Sequence, residues 1–278
     1  MPDDRLPVAR AAVTTTRMVR LPAGAPAESR EDQLAVEEPI EIRIGGTPTT
    51  VIMRTPGHDE ELARGFLFTE GLIHRAEDLL SVTRPAAEKP EEVGNLLDVE
   101  VAPPLVTRKP FSSNFYASSS CGVCGKSSLA AIEVHAKPVT SEARWSRALI
   151  ATFPDQLRAA QSLFDATGGL HAAALLDKNG DLVVVREDVG RHNAVDKTIG
   201  WALAAGRLPA SQLALQVSGR TSFEILQKAI MAGVPLVCAV SAPSSLAVAL
   251  AEKFGVTLVG FLRAGSMNVY AHPHRVID

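Results

Sequence analysis

Apolar and polar positions follow two different periods along the chain, and the change between them divides it. Residues 1–35 follow neither: single valines, the breaker Pro22-Ala23-Gly24-Ala25-Pro26 and the charge run Glu28 to Asp32 predict a loosely ordered, flexible arm. From Val36 a strand period begins. Ile40 to Ile44 and Thr49 to Met53 alternate or run β-branched around Gly45-Gly46, the pattern of a hairpin. After Pro56-Gly57 a helix opens, with Asp59, Glu60 and Glu61 in the first turn, where the macrodipole favours negative charge. Leu62, Phe66 and Ile73 share its face, and Gly71 ends or kinks it. The polar stretch Arg84 to Glu92 leads to a strand at Leu96 to Val101, so residues 36–110 read as a small α+β domain.

Residues 111–135 read as a mobile loop, with Ser127 to Val134 forming a short helix. Beyond residue 165 the pattern is α/β. His171 to Leu176 and Leu182 to Val185 flank Asn179-Gly180, a hairpin signal. Leu213 to Val217, Leu236 to Val240 and Thr257 to Phe261 read as buried strands. Ala194 to Ala204, Phe223 to Met231 and Leu246 to Phe254 are the helices between them. Strand and helix in alternation predict right-handed crossovers and a mixed, mostly parallel sheet sandwiched by helices, with one antiparallel edge pair. Residues 136–278 thus read as an α/β domain for a nucleotide or cofactor, and the chain as α/β, α+β overall.

Composition narrows the classes. Aromatics make up only 5% of 278 residues, so the core rests on Ala, Val, Leu and Ile. A net charge of −3 argues against sequence-blind nucleic-acid binding. No apolar run reaches the roughly 18 to 20 residues of a membrane span, and Met1 to Arg20 has no signal-peptide centre. Three cysteines are a poor disulfide framework for this length, which points to a reducing, cytoplasmic setting.

The chemistry gathers in a few loops. Cys121-Gly122-Val123-Cys124 puts two sulfurs within reach of one atom, and Lys126 and a following helix start favour thiolate. The alternative, half a structural zinc site, lacks a second pair of ligands, so sulfur or redox chemistry ranks above metal. Cys238, inside an apolar strand, reads as core. Arg186 to Asn193 follows a strand and opens a helix, so Arg191 and His192 could hold phosphate, or else form a polar cap. Asp196 and Lys197 could support them or lie on a solvated face. Ser218-Gly219-Arg220-Thr221-Ser222 and Ser241-Ala242-Pro243-Ser244-Ser245 repeat the strand-to-helix arrangement and suggest a shared pocket, without a P-loop or dinucleotide fingerprint. Phe261 to Asn268 follows the last strand, with Arg263 a candidate phosphate clamp; His171 could face the same pocket or be structural.

Taken together these segments resemble the FdhD family, the formate dehydrogenase accessory sulfurtransferases. The resemblance runs from residue 36 to the end through Asp59-Glu60-Glu61-Leu62-Ala63-Arg64-Gly65-Phe66-Leu67, Cys121-Gly122-Val123-Cys124-Gly125 and His171-Ala172-Ala173-Ala174. Glu187 to Lys197, Ser218 to Glu224, Val240 to Ala247 and Val259 to Arg263 continue it in order. It implies a homodimeric cytosolic sulfur carrier with a cytidine-deaminase-like C-terminal domain. A cysteine desulfurase would supply persulfide sulfur to Cys121, assisted by Cys124. The sulfur would pass to the molybdenum of bis(molybdopterin guanine dinucleotide), bound as substrate, before that cofactor enters formate dehydrogenase. Phe261, Leu262, Arg263, Ala264, Gly265 and Ser266 would lie on the cofactor, with Arg191, His192, Ser218, Arg220, Ser222, Ser241 and His171 around it; GDP would mimic it. A cofactor-binding chaperone that only shields and delivers is the alternative. Two departures stand out. Ser120 replaces the proline of zinc deaminases and no glutamate follows His171, so no metal is expected; Ser266 stands where the family often has a basic residue.

Overall fold

The computed structural model describes residues 11–103 and 136–278. Within the arm expected over residues 1–35, β1 (Val13–Arg20) and β2 (Glu28–Ala35) form an antiparallel ribbon. Its register sets Arg17 opposite Glu31 and Arg20 opposite Glu28, so the charge run supplies cross-strand pairs. The breaker that suggested disorder is the turn between the strands.

The hairpin around Gly45-Gly46 forms as β3 (Glu38–Ile44) and β4 (Thr47–Arg54), both glycines taking positive φ, 56° and 76°. Helix α1 (Asp59–Thr69) follows, then β5 (Leu79–Thr83) and β6 (Leu96–Val101). The sheet order is β4-β3-β6-β5, with β3 and β6 parallel and the other two pairings antiparallel. Strand β5 escapes the sequence pattern because it is a half-exposed edge that buries none of its five residues. Ile40, Ile42, Leu97 and Val99 belong to the same buried cluster as Leu62, Phe66 and Leu67 of α1.

The larger unit begins with β7 (Trp145–Ser146) and the short helices α2 (Arg147–Ile150), α3 (Phe153–Ala159) and α4 (Ser162–Thr167), the last lying against β1 and β2. There follow β8 (His171–Leu176), β9 (Leu182–Asp188), α5 (Arg191–Ala204), β10 (Ala214–Val217) and α6 (Phe223–Met231). The chain ends with β11 (Leu236–Ala239), α7 (Ser245–Phe254), β12 (Thr257–Arg263), β13 (Ser266–Ala271) and β14 (Val276–Ile277).

The six-stranded sheet has the order β13-β12-β11-β10-β8-β9 and is not mostly parallel. Only β10/β11 and β11/β12 run parallel, against three antiparallel pairings. The β8–β9 hairpin enters beside β10 in the opposite sense, and β12 folds back as β13 through Ala264-Gly265, both at positive φ (49° and 74°). Mostly exposed, β13 carries no buried alternation to reveal it.

Helices do cover both faces. On one, α5, α6 and α7 bury Leu175, Leu215, Val237 and Leu258. On the other, Trp145, Ile150, Phe153 and Leu157 meet Ala174, Leu236, Cys238 and Val259. The first core runs without a break into the smaller sheet, because α1 lies on α5. That crossing depends on two glycines: a Cβ at Gly65 would overlap the carbonyl of Asp196, and one at Gly200 that of Glu61. Strand β14 pairs in parallel with β7, and Arg275, 3% exposed, donates to Ser141 O (3.1 Å) and Gly255 O (2.8 Å). Among the described residues no helix is long and apolar enough to cross a membrane.

Candidate functional site at the strand ends

Because β10 and β11 run parallel, both end at one sheet edge, and antiparallel β8 begins there. Ser218 N donates to Ala172 O (3.0 Å) and Ser218 Oγ accepts from Ala172 N (2.9 Å), which sets His171 beside the Ser218–Ser222 loop. A Cβ at Gly219 would lie 3.3 Å from His171 Nδ1, so only a small residue fits there. Thr221 bridges to Pro243, and Ser244 N donates to Thr221 O (2.9 Å), joining the loops after β10 and β11. Phe261 N donates to Ser241 O (3.2 Å) and brings in the end of β12. His192, in the first turn of α5, places Nε2 2.8 Å from Glu224 Oε2 and 3.3 Å from Ser222 Oγ. His171, Arg191, His192, Ser218, Ser222, Ser241 and Phe261 therefore come to one edge from five segments of the chain.

This edge leaves polar groups open. Helix α7 is capped by Ser244 Oγ, which accepts from Ala247 N, but α5 and α6 start without a side-chain cap. Among the described residues Arg191 Nε and Thr221 Oγ1 are buried without a partner, Thr221 at 1% exposure. Free N–H groups, two helix dipoles and Arg191 make a place for an anion. Burial lowers the pKa of His171, and Arg191 and His192 lower it further, so its imidazole is neutral at pH 7.

The hairpin of β12 and β13 departs from the expected cofactor loop. Leu262 is fully buried among Trp145, Phe153 and Val259, since its place in the strand turns it to the opposite face. Arg263, Ala264, Gly265 and Ser266 form the exposed tip, with the Arg263 guanidinium 5.8 Å from the Phe261 ring centre. Phe261 itself has a φ of 50°, a left-handed conformation that costs a side-chain-bearing residue about 1–2 kcal/mol. Cys121 and Cys124 lie outside the described residues. Cys238 is fully buried and burial pushes its thiol pKa up, so it is inert, as a core cysteine should be.

The segments Asp59 to Leu67 and Glu187 to Lys197 meet mainly at the junction of the two sheets. Asp188, fully buried, accepts from Thr55 N (3.2 Å), Gly190 N (2.8 Å) and Asn193 Nδ2 (2.8 Å) and pairs with Lys197 Nζ (2.7 Å). Asp196 accepts from Thr69 Oγ1 (2.8 Å) and from Lys228 with both oxygens (2.9 and 2.8 Å). Burial pushes the Asp196 carboxyl up and Lys228 pulls it back; burial would lower Lys228 too, but Asp196 outweighs it and holds the ammonium above its ordinary value. The double hydrogen bond marks the pair as ionised. Asp196 and Lys197 are thus junction residues at 2% and 1% exposure, not a solvated face. Arg186 grips Glu61 with two nitrogens, one at 2.7 Å, and Arg54 and Arg84 hold Asp59 at 2.9 and 2.8 Å. Two cavities of about 740 and 180 Å³ lie elsewhere. The larger, lined by Phe68, Val139, Gln212 and Gly233, opens at the opposite ends of β10 and β11; the smaller, by Gly57, His58 and Leu163, borders the junction.

Sequence reasoning included Thr221 in the loop after β10 but did not read Glu224 as part of the edge. Glu224 stands in the helix after β10, and only the approach of α5 brings His192 to it.

An α/β protein whose larger sheet is covered by helices on both faces, with polar groups left open at its strand ends, is the class that this arrangement defines. The model of the FdhD/NarQ family matches residues 35–277, and the chain belongs to that family. It is 53% identical over 274 residues to the Sulfur carrier protein FdhD of Mycolicibacterium paratuberculosis, covering 95% of this chain and 99% of that one. The archaeal Sulfur carrier protein FdhD of Sulfolobus acidocaldarius is 46% identical over 249 residues, 89% of this chain and 92% of its own. A crystal structure from Desulfotalea psychrophila, described as a formate dehydrogenase accessory protein, superposes with a TM-score of 0.75 at 26% identity. It covers 96% of this chain and 100% of that one.

Proposed function

We propose that the protein is a cytoplasmic sulfurtransferase that accepts sulfur as a persulfide and delivers it to a molybdenum cofactor needed by formate dehydrogenase. Membership of a family whose relatives are named sulfur carriers supports the transfer. The observation that carries the substrate side is the strand-end edge, where two uncapped helix starts and the unpartnered Arg191 Nε and Thr221 Oγ1 await an anionic ligand. Bis(molybdopterin guanine dinucleotide), rich in phosphate, is that ligand in this reading, and GDP is its mimic.

The Cys121 thiolate attacks the outer sulfur of a persulfide on a cysteine desulfurase. The donor's S–S bond breaks, its own cysteine leaves as thiolate, and a new persulfide forms on Cys121, with Cys124 assisting relay. The protein acts as a homodimer in this reading. The larger sheet belongs to the cytidine-deaminase-like group, without the glutamate that deamination requires after His171.

Intact-protein mass spectrometry after incubation with a cysteine desulfurase and cysteine tests the proposal. A gain of one sulfur atom that is reversed by reductant and missing in Cys121→Ala supports it. Absence of the gain in the wild type, beside a loaded desulfurase, favours the cofactor-shielding chaperone instead.

A further inference from the structure

The β1–β2 ribbon builds no core of its own. Neither of its eight-residue strands buries a single residue, and among the described residues it lies mainly against α4. A lone two-stranded ribbon is marginally stable in water. Val19 and Leu34 stay exposed on it, at 62% and 45%. The outer edge of β2 pairs with no strand among the described residues. That edge also lacks the usual protection of edge strands: its register with β1 is unbroken by a bulge, and it carries no proline or lysine.

The charges of β2 fall into two sets. Glu28 and Glu31 stand opposite Arg20 and Arg17 of β1. Arg30 and Asp32 stand opposite the uncharged Met18 and Thr16, and neither forms an ion pair among the described residues. Two opposite charges two positions apart share one face of the strand and are self-complementary. When β2 pairs antiparallel with a second copy about a two-fold axis at Glu31, Arg30 falls opposite the partner's Asp32, and Asp32 opposite the partner's Arg30. Glu31 lies at the axis on the other face, with its own Arg17 across from it. Moving the axis to Arg30 or to Asp32 sets like charges opposite each other. Strand β1 offers no such register, because its charges, Arg17 and Arg20, have one sign.

We infer that the free edge of β2 is a docking surface for a second copy of this chain, joining two ribbons into one four-stranded antiparallel sheet across a two-fold axis. Main-chain hydrogen bonds along the edge supply affinity, and the paired charges of Arg30 and Asp32 fix the register. Pairing raises the ribbon from two strands to four, past the number at which a sheet is marginal. This interface is one for the homodimer of the proposed function and rests on that part of it alone, not on the sulfur chemistry.

Sedimentation of the full chain over a dilution series tests the surface. The wild type should dimerise. Arg30→Asp and Asp32→Arg should each raise the dimer dissociation constant roughly ten-fold or more, because in a symmetric dimer each reversal sets like charges opposite at two places. The double variant, Arg30→Asp with Asp32→Arg, should return to within about three-fold of the wild type. A second measurement does not depend on affinity. Opposite Cα atoms of paired strands lie about 4.5–5.5 Å apart, within the span of a disulfide. In a chain carrying Cys121→Ala and Cys124→Ala, Glu31→Cys should therefore cross-link two chains under a mild thiol oxidant, and Thr15→Cys on β1 should not. A dimer indifferent to both reversals, or a double variant as weak as the singles, would overturn the surface and leave the homodimer standing. Absence of the Glu31→Cys cross-link in a dimeric chain would do the same. A chain that stays monomeric at every concentration would overturn both.

Discussion

Helix α5 meets two different surroundings. At Asp196 and Lys197 every charge is matched: Thr69 and Lys228 answer Asp196, and Asp188 and Thr55 answer Lys197. One turn earlier the matching stops: the helix start has no side-chain cap, and Arg191 Nε is buried without a partner among the described residues. The matched half receives its partners from α1, α6 and the strand-to-helix loops, so it fixes the direction of the helix. The unmatched half is then held where a ligand can complete it. Buried charge is tolerable only with partners, and the difference between the two halves is whether the protein supplies them itself.

The comparison breaks most severely at the matched half. Asp196→Ala strands the Lys228 ammonium in the core and should cost about 3–5 kcal/mol, read from urea unfolding. Joint replacement of the pair, Asp196→Leu with Lys228→Met, should recover most of that loss; no recovery would mean that the charges themselves are required. Next comes the glycine crossing. Helix propensity alone would make Gly200→Ala stabilising by about 1 kcal/mol. The overlap with the Glu61 carbonyl predicts the opposite sign, a loss of about 1–3 kcal/mol in the same assay.

At the open half the effects should move to ligand and leave stability alone. Arg191→Ala should weaken pyrophosphate binding by about 1.5–3 kcal/mol with an unchanged urea midpoint. A lowered midpoint of similar size would place Arg191 with the matched half. Acid sharpens the contrast further. Burial pushes the Asp59 carboxyl up, but Arg54 and Arg84 outweigh it and hold it below the ordinary carboxylate range. Its contribution is therefore present above the unfolded value of about 4 and is lost as pH falls through the lower folded value. Melting temperature should drop below about pH 4, and Asp59→Asn should flatten that drop. The smallest effect is expected at Cys238: its alanine variant should load sulfur like the wild type, since the thiol is sealed in the core.

Much of this was legible in the residue pattern wherever burial alternates. The boundaries of α6 and of β6, the β3–β4 hairpin and the convergence of the loops after β10 and β11 follow from period and turn chemistry alone. Exposed strands gave no such signal: β5, β13 and the β1–β2 ribbon are held by edge pairing or cross-strand charge, which leaves no apolar rhythm. Strand direction was lost for a related reason, because a hairpin such as β8–β9 can enter a sheet beside β10 in either sense. At the site, the loops were legible and the division of labour within them was not. Arg191 and Asp196 stand five positions apart in one motif, and only the approach of α1 and α6 makes one of them half of a buried ion pair while the other keeps its Nε without a partner among the described residues.

The pairing of β7 with β14 carries a consequence in time. Trp145 finds its partner at Val276, 131 positions later, and Arg275 closes the same seam against Ser141. Synthesis at about 5–20 residues per second puts roughly 7–26 s between the two strands leaving the ribosome. During that interval the Trp145 side of the large sheet lacks its final fastening. A chain stopped just short of Arg275 would carry every loop of the candidate site and still leave that seam unsewn.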